Sequence, residues 1–426
     1  MAGEGSSGTL SRRWSTIGTD GTEGVDGTNS TSATSAAEDP VRLMSVGLWR
    51  IELPMRAPIT TAKGVHRRRP LVMVELVGEL DGSPVVGWGE CAALADATYD
   101  REDVDGSFRA LQDALVPGLL ALASRSGGRL PGPSRLGPIR GAAGPLAFAA
   151  LEMAVADCHL RAGGTSLAAR LGVEGRTVEV GAVTGQYDSI DKLVAGAEAV
   201  AEAGISRLKM KIGPGNDIVP VGAVSRAVPE LRLQVDANGS YAEADGDHLA
   251  GLDRFRLLCL EQPLAPTDPG GLHAHARLAR RMTTPICLDE SLDSPATTFD
   301  ALARGACSVV CVKPSRLGGL GAALQVIESC AASGVPLWMG GMFESGYARG
   351  VNTTLAALNG FSWPGDLRPA GSYLDPDLLG EPALFRSGPG SALRVELPSG
   401  PGLGEPPDRR TLERLAVTRV RIDAPR

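Results

Sequence analysis

Charged side chains occur at regular intervals in the second half of the chain, each at the end of a predicted strand. The residues are Lys209, Lys211, Asp236, Glu261, Asp289 and Lys313. From Lys211 onward, successive members are separated by 25, 25, 28 and 24 residues, about one strand and one helix each. Because the carboxyl ends of parallel strands meet at one face of a β/α barrel, these side chains are expected to converge. Lys209 and Lys211 are two residues apart and therefore point to the same side of their strand.

Three carboxylates and two amines at one site favour a particular chemistry. Asp236, Glu261 and Asp289 would repel one another and raise their own pKa values unless a cation neutralised them. Oxygen ligands without a nearby His suit a hard divalent ion, Mg²⁺ first and Mn²⁺ as a substitute. Lys211 and Lys313 would flank the ion, which would bring their pKa values toward neutrality, as a general base requires. A carboxylate substrate would then lose its α-proton, and the ion would stabilise the enediolate.

Each residue also has an ordinary structural explanation. A single Lys or Asp at the end of a strand is more often a solvated loop residue or a salt-bridge partner. Five such residues on successive βα units favour a shared site instead. Four weaker candidates are equally consistent with surface positions or supporting contacts: Glu290, Asp293, Arg316 and Glu344. The glycine pairs at 318–319 and 340–341 fit either turns or a phosphate cradle.

The elements that must position these residues alternate between short β-rich runs and helical segments. The eight runs are 178–183, 207–212, 231–237, 257–261, 286–289, 309–313, 337–341 and 361–363. Helices predicted between them include 189–203, 296–303 and 320–333. This alternation indicates parallel βαβ units. Eight strands favour a TIM-type barrel over a doubly wound sheet, which would carry a Gly-rich phosphate loop after its first strand.

The first part of the chain has a different pattern. The runs 43–53, 71–77 and 85–88 predict antiparallel strands, with a hairpin turn at Asp81, Gly82 and Ser83. Helices are expected over 103–122 and 144–162, and the second is apolar on most of its surface, so it should be buried. Residues 1–40 contain 21 Gly, Ser and Thr and few large apolar side chains, which predicts a disordered extension.

Composition restricts the class of protein. The chain has 426 residues and a formal charge of −7, and no basic stripe indicates a nucleic-acid partner. No apolar run of ~18 residues predicts a membrane span, and the N-terminal residues lack the order of a secretory signal, which favours a cytoplasmic protein. The seven Cys are dispersed, mostly in apolar runs, so neither a disulfide framework nor a zinc cage is expected.

Motifs at the strand ends resemble those of the enolase superfamily, in its muconate-cycloisomerase subgroup. They are Lys209-Met210-Lys211, Asp236-Ala237-Asn238, Glu261-Gln262-Pro263, Leu288-Asp289-Glu290-Ser291, Lys313-Pro314 and Gly340-Gly341-Met342-Phe343-Glu344-Ser345-Gly346. The last segment looks most like the branch that holds o-succinylbenzoate synthases and N-acylamino acid racemases. The resemblance extends from about residue 41 to about residue 417. As an ordered set the motifs are highly specific, although each triplet alone is weak.

The resemblance implies an α/β fold with two parts. One is a modified (β/α)7β TIM-type barrel over residues 166–365. The other is an α+β capping domain formed by both chain ends, residues 41–165 and 366–426. Within the cap, the loop 54–70 and the segment 87–99 would close over the substrate. The 40-residue extension and the Arg67-Arg68-Arg69 run depart from the family pattern.

The resemblance also implies roles for the site residues. Asp236, Glu261 and Asp289 would bind Mg²⁺. Lys211 and Lys313 would be the acid/base pair. The residues expected in substrate-binding or supporting positions are Lys209, Asn238, Arg316, Gly341, Met342 and Glu344. The expected partner is a small carboxylate substrate, and the resemblance suggests a homo-oligomer.

The leading hypothesis for activity is the o-succinylbenzoate synthase reaction, dehydration of a hydroxycyclohexadiene carboxylate in menaquinone biosynthesis. Lys211 would be the base, and Lys313 a cation that stabilises the enediolate. The close rival is racemisation of N-acylamino acids, in which the two lysines alternate; an Arg316 guanidinium near Lys313 would favour it by lowering the Lys313 pKa. Dipeptide epimerisation and muconate cycloisomerisation are further alternatives. A metal-independent Schiff-base lyase and a non-catalytic barrel represent other classes.

Overall fold

The structure is a computed structural model that describes residues 9–18, 41–61, 64–97, 99–185, 187, 189–266, 270–380, 384–386 and 390–425. Its strands are β1 (Arg42–Thr61), β2 (Gly64–Leu80), β3 (Ser83–Cys91), β4 (Thr177–Glu179), β5 (Ala182–Thr184), β6 (Arg207–Lys211), β7 (Arg232–Asp236), β8 (Leu260–Glu261), β9 (Ile286–Leu288), β10 (Val309–Val312), β11 (Leu337–Met339), β12 (Leu384–Arg386), β13 (Leu393–Glu396) and β14 (Ala416–Asp423). Its helices are α1 (Thr9–Ser15), α2 (Val104–Ala110), α3 (Val116–Arg125), α4 (Gly137–Arg140), α5 (Pro145–Ala162), α6 (Leu167–Leu171), α7 (Ile190–Glu202), α8 (Ile218–Ala227), α9 (Gly246–Leu249), α10 (Gly271–Ala279), α11 (Pro295–Ala303), α12 (Leu320–Ala332), α13 (Gly346–Ala356) and α14 (Arg409–Leu415).

An antiparallel sheet in the order β14-β1-β2-β3 forms the cap. Asp81 and Gly82 join β2 to β3, and their φ angles of 48° and 76° are the left-handed values of a two-residue hairpin turn. The hairpin predicted at this position is therefore confirmed. β14 pairs with β1, with Asp423 opposite Ser45, so both chain ends build the capping sheet, as expected.

The predicted loop over residues 54–70 is instead the outer end of the β1–β2 hairpin, in which Pro54 lies opposite Arg68. The prediction of a loop was wrong because pairing between β1 and β2 continues beyond the apolar residues that mark their inner ends. This hairpin end contacts the segment after the barrel. The Arg56 amide donates to the Tyr373 carbonyl at 3.0 Å, and the Asp375 amide donates to the Pro54 carbonyl at 3.1 Å.

The cap helices lie close to their predicted positions. The helix expected over 103–122 consists of α2, a π-helical turn at Leu111–Leu115 and α3, and the Asp103 carboxylate caps its start by accepting from the Gly106 amide at 2.7 Å. α5 is buried along nearly all its length, as its apolar surface predicts. It packs against β3 so closely that a Cβ added at Gly89 would meet the Ala150 carbonyl oxygen.

Parallel strands form the second layer, in the order β11-β10-β9-β8-β7-β6-β5. The chain after α13 closes the ring. It bridges Leu337 of β11 at Phe361 and Val180 at Gly365, and the Gly181 amide donates to the Gly365 carbonyl at 2.7 Å. Seven strand–helix units followed by this eighth segment constitute the predicted (β/α)7β barrel.

The strand predicted over 178–183 is divided between two sheets. β4 pairs with β13, whose other neighbour is β12, whereas β5 pairs with β6 as the first barrel strand. The division falls at Gly181, where an added Cβ would lie 2.6 Å from the Arg207 guanidinium. An apolar run predicts extended backbone but does not indicate which sheet each half joins, and this accounts for the error.

Part of the extension expected to be disordered is ordered. Residues 9–18 form α1 and its following turn, with Trp14 only 4% and Ile17 only 2% exposed. The prediction of disorder was wrong for this stretch because the overall composition of residues 1–40 conceals an apolar helical face. Residues 1–8 and 19–40 lie outside the described residues.

The cysteines pack as small apolar side chains, since all seven are buried free thiols. None of the helices in the described part of the chain is both long and apolar enough to cross a membrane.

Candidate active site

β6 brings two lysines to the mouth of the barrel. Lys211 Nζ lies 2.6 Å from Asp236 Oδ2 and 2.8 Å from Asn238 Oδ1. Lys209 is 3% exposed, and its ammonium lies 3.2 Å from Glu261, 3.4 Å from Asp236 and 2.9 Å from Asp366. Both side chains line the same cavity, as their spacing of two residues predicts.

A second cluster lies at the ends of β9 and β10. Lys313 Nζ lies 2.6 Å from Asp289 Oδ2 and 2.7 Å from the Tyr99 hydroxyl oxygen. Arg316 contacts the other Asp289 oxygen and lies 3.0 Å from Asp100. Both cations also lie over the Tyr99 ring, at 5.0 and 4.9 Å from its centroid. Arg316 and Lys313 are therefore neighbours that share one carboxylate.

The two lysine clusters lie on opposite sides of the barrel mouth. Three strands, β7, β8 and β9, separate β6 from β10, so Lys211 and Lys313 are four positions apart in a ring of eight. Both line a cavity of about 280 Å³. Other lining residues are Leu94 and Tyr99 from the cap, and Val183, Gly341, Met342, Phe343, Arg368 and Tyr373. A small planar substrate bound here would present one face to each amine.

Two residues that follow barrel strands have left-handed backbone conformations, and their side chains connect neighbouring strand ends. Asn238 has a φ of 45° and Gln262 a φ of 36°, values that cost energy in residues other than Gly and that are concentrated at functional sites. The Gln262 side-chain oxygen accepts from the Asp289 amide at 3.0 Å. Asn238 donates through Nδ2 to Glu290 at 3.0 Å. Each side chain thereby fixes its strand end to a neighbouring one.

The buried carboxylates offer oxygen atoms that could bind a cation. Burial, and then the Asp236 carboxylate, raise the pKa of Glu261 to about 8. Glu261 and Asp289 offer oxygens within 4.8 Å of each other and of the Cys311 sulfur, and burial raises the pKa of that thiol. Glu290 Oε2 is buried without a hydrogen-bond partner among the described residues. A donor set of carboxylate oxygens suits a hard divalent ion, so the residues present fit Mg²⁺.

The pKa of Lys313 differs from the expectation of a near-neutral amine. Burial lowers this pKa and the Asp289 carboxylate raises it, and the balance lies above the ordinary value of 10.5. The reason is that an oxygen expected to bind an ion pairs with the ammonium instead. Arg316 acts in the expected direction, since its positive charge lowers the Lys313 pKa.

The remaining candidates differ in how near they lie to the cavity. Gly341 and Met342 line it. Glu344 does not; its carboxylate accepts from the Met342 amide at 2.9 Å and pairs with Arg349 at 2.7 Å, so it supports the wall that Met342 forms. Glu290 is half-buried next to the site, where it accepts from the Asn238 side chain.

Several side chains at the site were not predicted. Gln234 donates to Glu261 at 2.9 Å; it lies two residues before Asp236, and the rule that placed Lys209 beside Lys211 would have found it. Asp366 ends the eighth barrel segment, where the strand-end rule also applies. Tyr99 gave no local signal, because its contact with Lys313 depends on how the cap docks onto the barrel.

Arg69 connects the cap to the cavity wall. It is 2% exposed, and its guanidinium donates to Ala92 and Ala93 in the cap at 2.5 and 2.7 Å. It also donates to Met342 and Phe343 of the barrel at 3.1 and 2.9 Å. The last residue of the arginine run is thus an interdomain contact and not a surface charge.

Comparison with known proteins agrees with this architecture. Residues 192–411 match the model of the enolase C-terminal domain-like family. The chain is 39% identical to an N-succinylamino acid racemase from Amycolatopsis sp. over 90% of this chain and 100% of that protein. It is 36% identical to an o-succinylbenzoate synthase from Geobacillus kaustophilus over 88% and 96%. An enolase superfamily structure from Listeria innocua matches with a TM-score of 0.82 and 30% identity, over 90% of this chain and 100% of that one.

These matches define the class. The chain belongs to the enolase superfamily, in the enolase C-terminal domain-like family, and the resemblance inferred from its motifs is confirmed.

Replacing Arg69 tests the connection between cap and barrel. Arg69→Met is expected to lower kcat/KM about 10-fold or more, because the carbonyls of residues 342 and 343 lose their shared donor and the cavity wall shifts. Arg68→Met is the matched control. Arg68 is exposed, and its replacement removes an ion pair with Glu52 in which the charged atoms are 3.8 Å apart. Steady-state kinetics and thermal unfolding of both variants make the comparison. Equal kinetics for the two variants would show that the wall does not depend on Arg69.

Proposed function

We propose that this protein is a Mg²⁺-dependent enzyme that removes the proton next to the carboxylate of a small-molecule substrate, and that its leading reaction is that of an o-succinylbenzoate synthase. The observation that carries the proposal is that Lys211 and Lys313 line one cavity from opposite sides, and that the three strands between theirs end at or next to Asp236, Glu261 and Asp289. The o-succinylbenzoate synthases of Geobacillus kaustophilus and Bacillus subtilis, 36% and 31% identical to this chain, support the choice of reaction.

In this proposal Asp236, Glu261 and Asp289 hold Mg²⁺, with Mn²⁺ as a possible substitute. The ion, when bound, supplies the positive charge that stabilises the enediolate form of the substrate carboxylate. Lys211 takes the α-proton onto Nζ, and Asn238 orients that amine. Lys313 remains a cation on the opposite face, while Lys211 passes the proton to the departing hydroxyl group, which leaves as water. Lys209 compensates the charge of Glu261 and Asp236.

Racemisation of N-succinylamino acids is the second candidate, and one contact favours it. Arg316 lies beside Lys313, and its positive charge opposes the rise in the Lys313 pKa that Asp289 causes, so more of the amine is neutral and able to accept a proton than with Asp289 alone. If Lys313 alternates with Lys211, one amine removes the α-proton of an enantiomer, and the other amine, already protonated, delivers a proton to the opposite face. The racemases of Amycolatopsis sp. and Thermus thermophilus, 39% and 38% identical to this chain, support this candidate.

The direct test is an assay of the dehydration substrate and of an N-succinylamino acid, side by side, with Mg²⁺ and with a chelator. We expect turnover of the dehydration substrate with Mg²⁺, loss of turnover in chelator, and recovery when Mg²⁺ is added back. Turnover of the amino acid alone would assign racemisation instead. Full activity in chelator together with borohydride trapping of a lysine would replace the proposal by a Schiff-base mechanism.

Replacement of each lysine separates the two reactions. Lys211→Ala is expected to abolish both, with a loss of about 10²-fold or more, because it removes the base. Lys313→Arg keeps a cation but not a base, so it should retain dehydration while losing racemisation. Progress of each reaction, followed by absorbance and by chiral chromatography, gives the rates. Equal loss of both activities in Lys313→Arg would contradict the assignment of different roles to this residue.

Arg368 provides a cation in the cavity that could bind a second carboxylate of the substrate. Its side chain is exposed and lines the cavity, and no ion pair joins it to a carboxylate in the described part of the chain. The other cations there, Lys209, Lys211, Lys313 and Arg349, each contact an acidic group. Arg368→Met is therefore expected to lower kcat/KM about 10-fold for an N-succinyl substrate, roughly the value of one exposed charged hydrogen bond, and to leave an N-acetyl substrate unchanged. Arg410→Met, at an exposed position on α14, is the control, and an equal effect on both substrates would exclude this role.

A further inference from the structure

Residues 9–18, here called the N-terminal brace, lie outside the region that resembles the family. We propose that the brace positions the catalytic Lys313 by fixing the start of α12, so that Trp14 and Glu152 are positioning residues for one of the two amines. The inference rests on the proposed function for the role of Lys313, and on the following contacts for the rest.

Side chains from α12 and α6 form hydrogen bonds with the two ends of α1. Glu328 of α12 accepts from the Leu10 amide at 3.2 Å and from the Ser11 hydroxyl at 2.6 Å. Arg170 of α6 donates to the Arg13 carbonyl at 2.7 Å and to the Thr16 hydroxyl at 2.5 Å. A carboxylate at the start of a helix and a guanidinium at its end both complement the helix dipole. The brace therefore has a defined binding position.

The surface that receives the brace is shaped for it by glycines. A Cβ added at Gly321 would lie 2.7 Å from the Trp14 indole nitrogen, and one at Gly172 would lie 2.5 Å from the Arg13 guanidinium. At Gly132 it would meet the Ile17 carbonyl oxygen. Three separate parts of the protein thus lack side chains at positions where a side chain would meet the brace.

The Trp14 indole meets a buried carboxylate. Glu152 of α5 is 2% exposed and accepts from the Leu320 amide at 2.6 Å and the Gly321 amide at 3.4 Å, in the first turn of α12. The Trp14 indole lies beside the same carboxylate, since a Cβ added at Gly321 would lie 2.7 Å from the indole nitrogen and 3.1 Å from Glu152 Oε1. Gly319 allows this approach, since a Cβ there would overlap Glu152. Trp14 therefore packs where α5 of the cap contacts the first turn of α12 of the barrel.

The start of α12 is connected directly to the catalytic amine. The loop 313–319 is folded back on itself, with the Leu317 amide donating to the Lys313 carbonyl at 3.0 Å and the Gly319 amide to the Pro314 carbonyl at 2.9 Å. It carries both Lys313 and Arg316. A shift of the first turn of α12 would move this loop, and with it the Lys313 amine.

Lys211 forms no hydrogen bond to the loop 313–319 or to α12 among the described residues. Its contacts are with Asp236 and Asn238, on the opposite side of the barrel mouth. Loosening of the brace should therefore affect the chemistry of Lys313 and leave that of Lys211 nearly intact. General destabilisation of the protein would not distinguish the two amines.

Amide hydrogen exchange tests the structural part in the full chain, without reference to activity. In Trp14→Ala, amides of residues 317–323 are expected to exchange about 10-fold faster or more, while those of β6 and β7 keep their protection. Trp14→Phe, which retains most of the ring volume but not the indole N–H, should give a smaller effect in the same residues and serves if Trp14→Ala does not fold. Arg12→Ala, at an exposed position of α1, is the matched control. Unchanged exchange at 317–323 in both Trp14 variants would overturn the proposal.

Exchange of the substrate α-proton in D₂O with Mg²⁺ tests the catalytic part, using each enantiomer of an N-succinylamino acid. Lys211→Ala and Lys313→Ala first assign which enantiomer depends on which amine. Trp14→Ala or Trp14→Phe is then expected to slow α-proton exchange about 10-fold for the enantiomer that depends on Lys313. For the enantiomer that depends on Lys211, exchange should slow less than about twofold. An equal loss for both enantiomers would overturn the positioning role. No exchange in the unmodified protein would instead exclude racemisation, the candidate in which Lys313 is a base, while the amide measurement would still decide whether the brace holds α12.

Discussion

Three carboxylates, those of Asp236, Glu261 and Asp289, lie buried together at the mouth of the barrel, and their charge must be compensated there. Burial of a charged group without compensation costs more free energy than most single interactions supply. The structure meets this constraint with side chains: Lys209 and Lys211 on one side, and Lys313 with Arg316 on the other. Two of the residues that neutralise the carboxylates, Lys211 and Lys313, are thus also the amines that the proposed function requires.

The same constraint explains why the cap matters to the chemistry. Tyr99 contacts both Lys313 and Asp289, and Asp100 pairs with Arg316, so the cap completes a network that begins on the barrel strands. Arg69 then joins cap backbone to the wall at residues 342 and 343. Because Arg69 and Arg316 are buried, the electrostatic interactions that they make are stronger than they would be in water.

The sequence predicted the parts of the site that depend on local pattern. The spacing of the strands placed Lys211, Asp236, Glu261 and Lys313 at one face because strand ends meet in a barrel. Tyr99 was not predicted, since its position depends on docking between two domains. The strand at 178–183 was assigned to one sheet because an apolar run does not specify its partners. The order of residues 9–18 was missed because the average composition of a segment conceals a single helical face with Trp14 and Ile17.

The antiparallel cap sheet has a consequence for the order of events during synthesis. β1 is formed from residues 42–61, whereas its outer neighbour β14 is formed from residues 416–423. Domains generally fold as the chain emerges from the ribosome, at about 5–20 residues per second. The first strands must therefore wait with an unpaired edge for roughly 350 residues, some 20–70 seconds at that pace, while the barrel is translated. During that interval β1 offers free backbone groups to other chains, so chaperone capture of the nascent polypeptide would have its greatest value there.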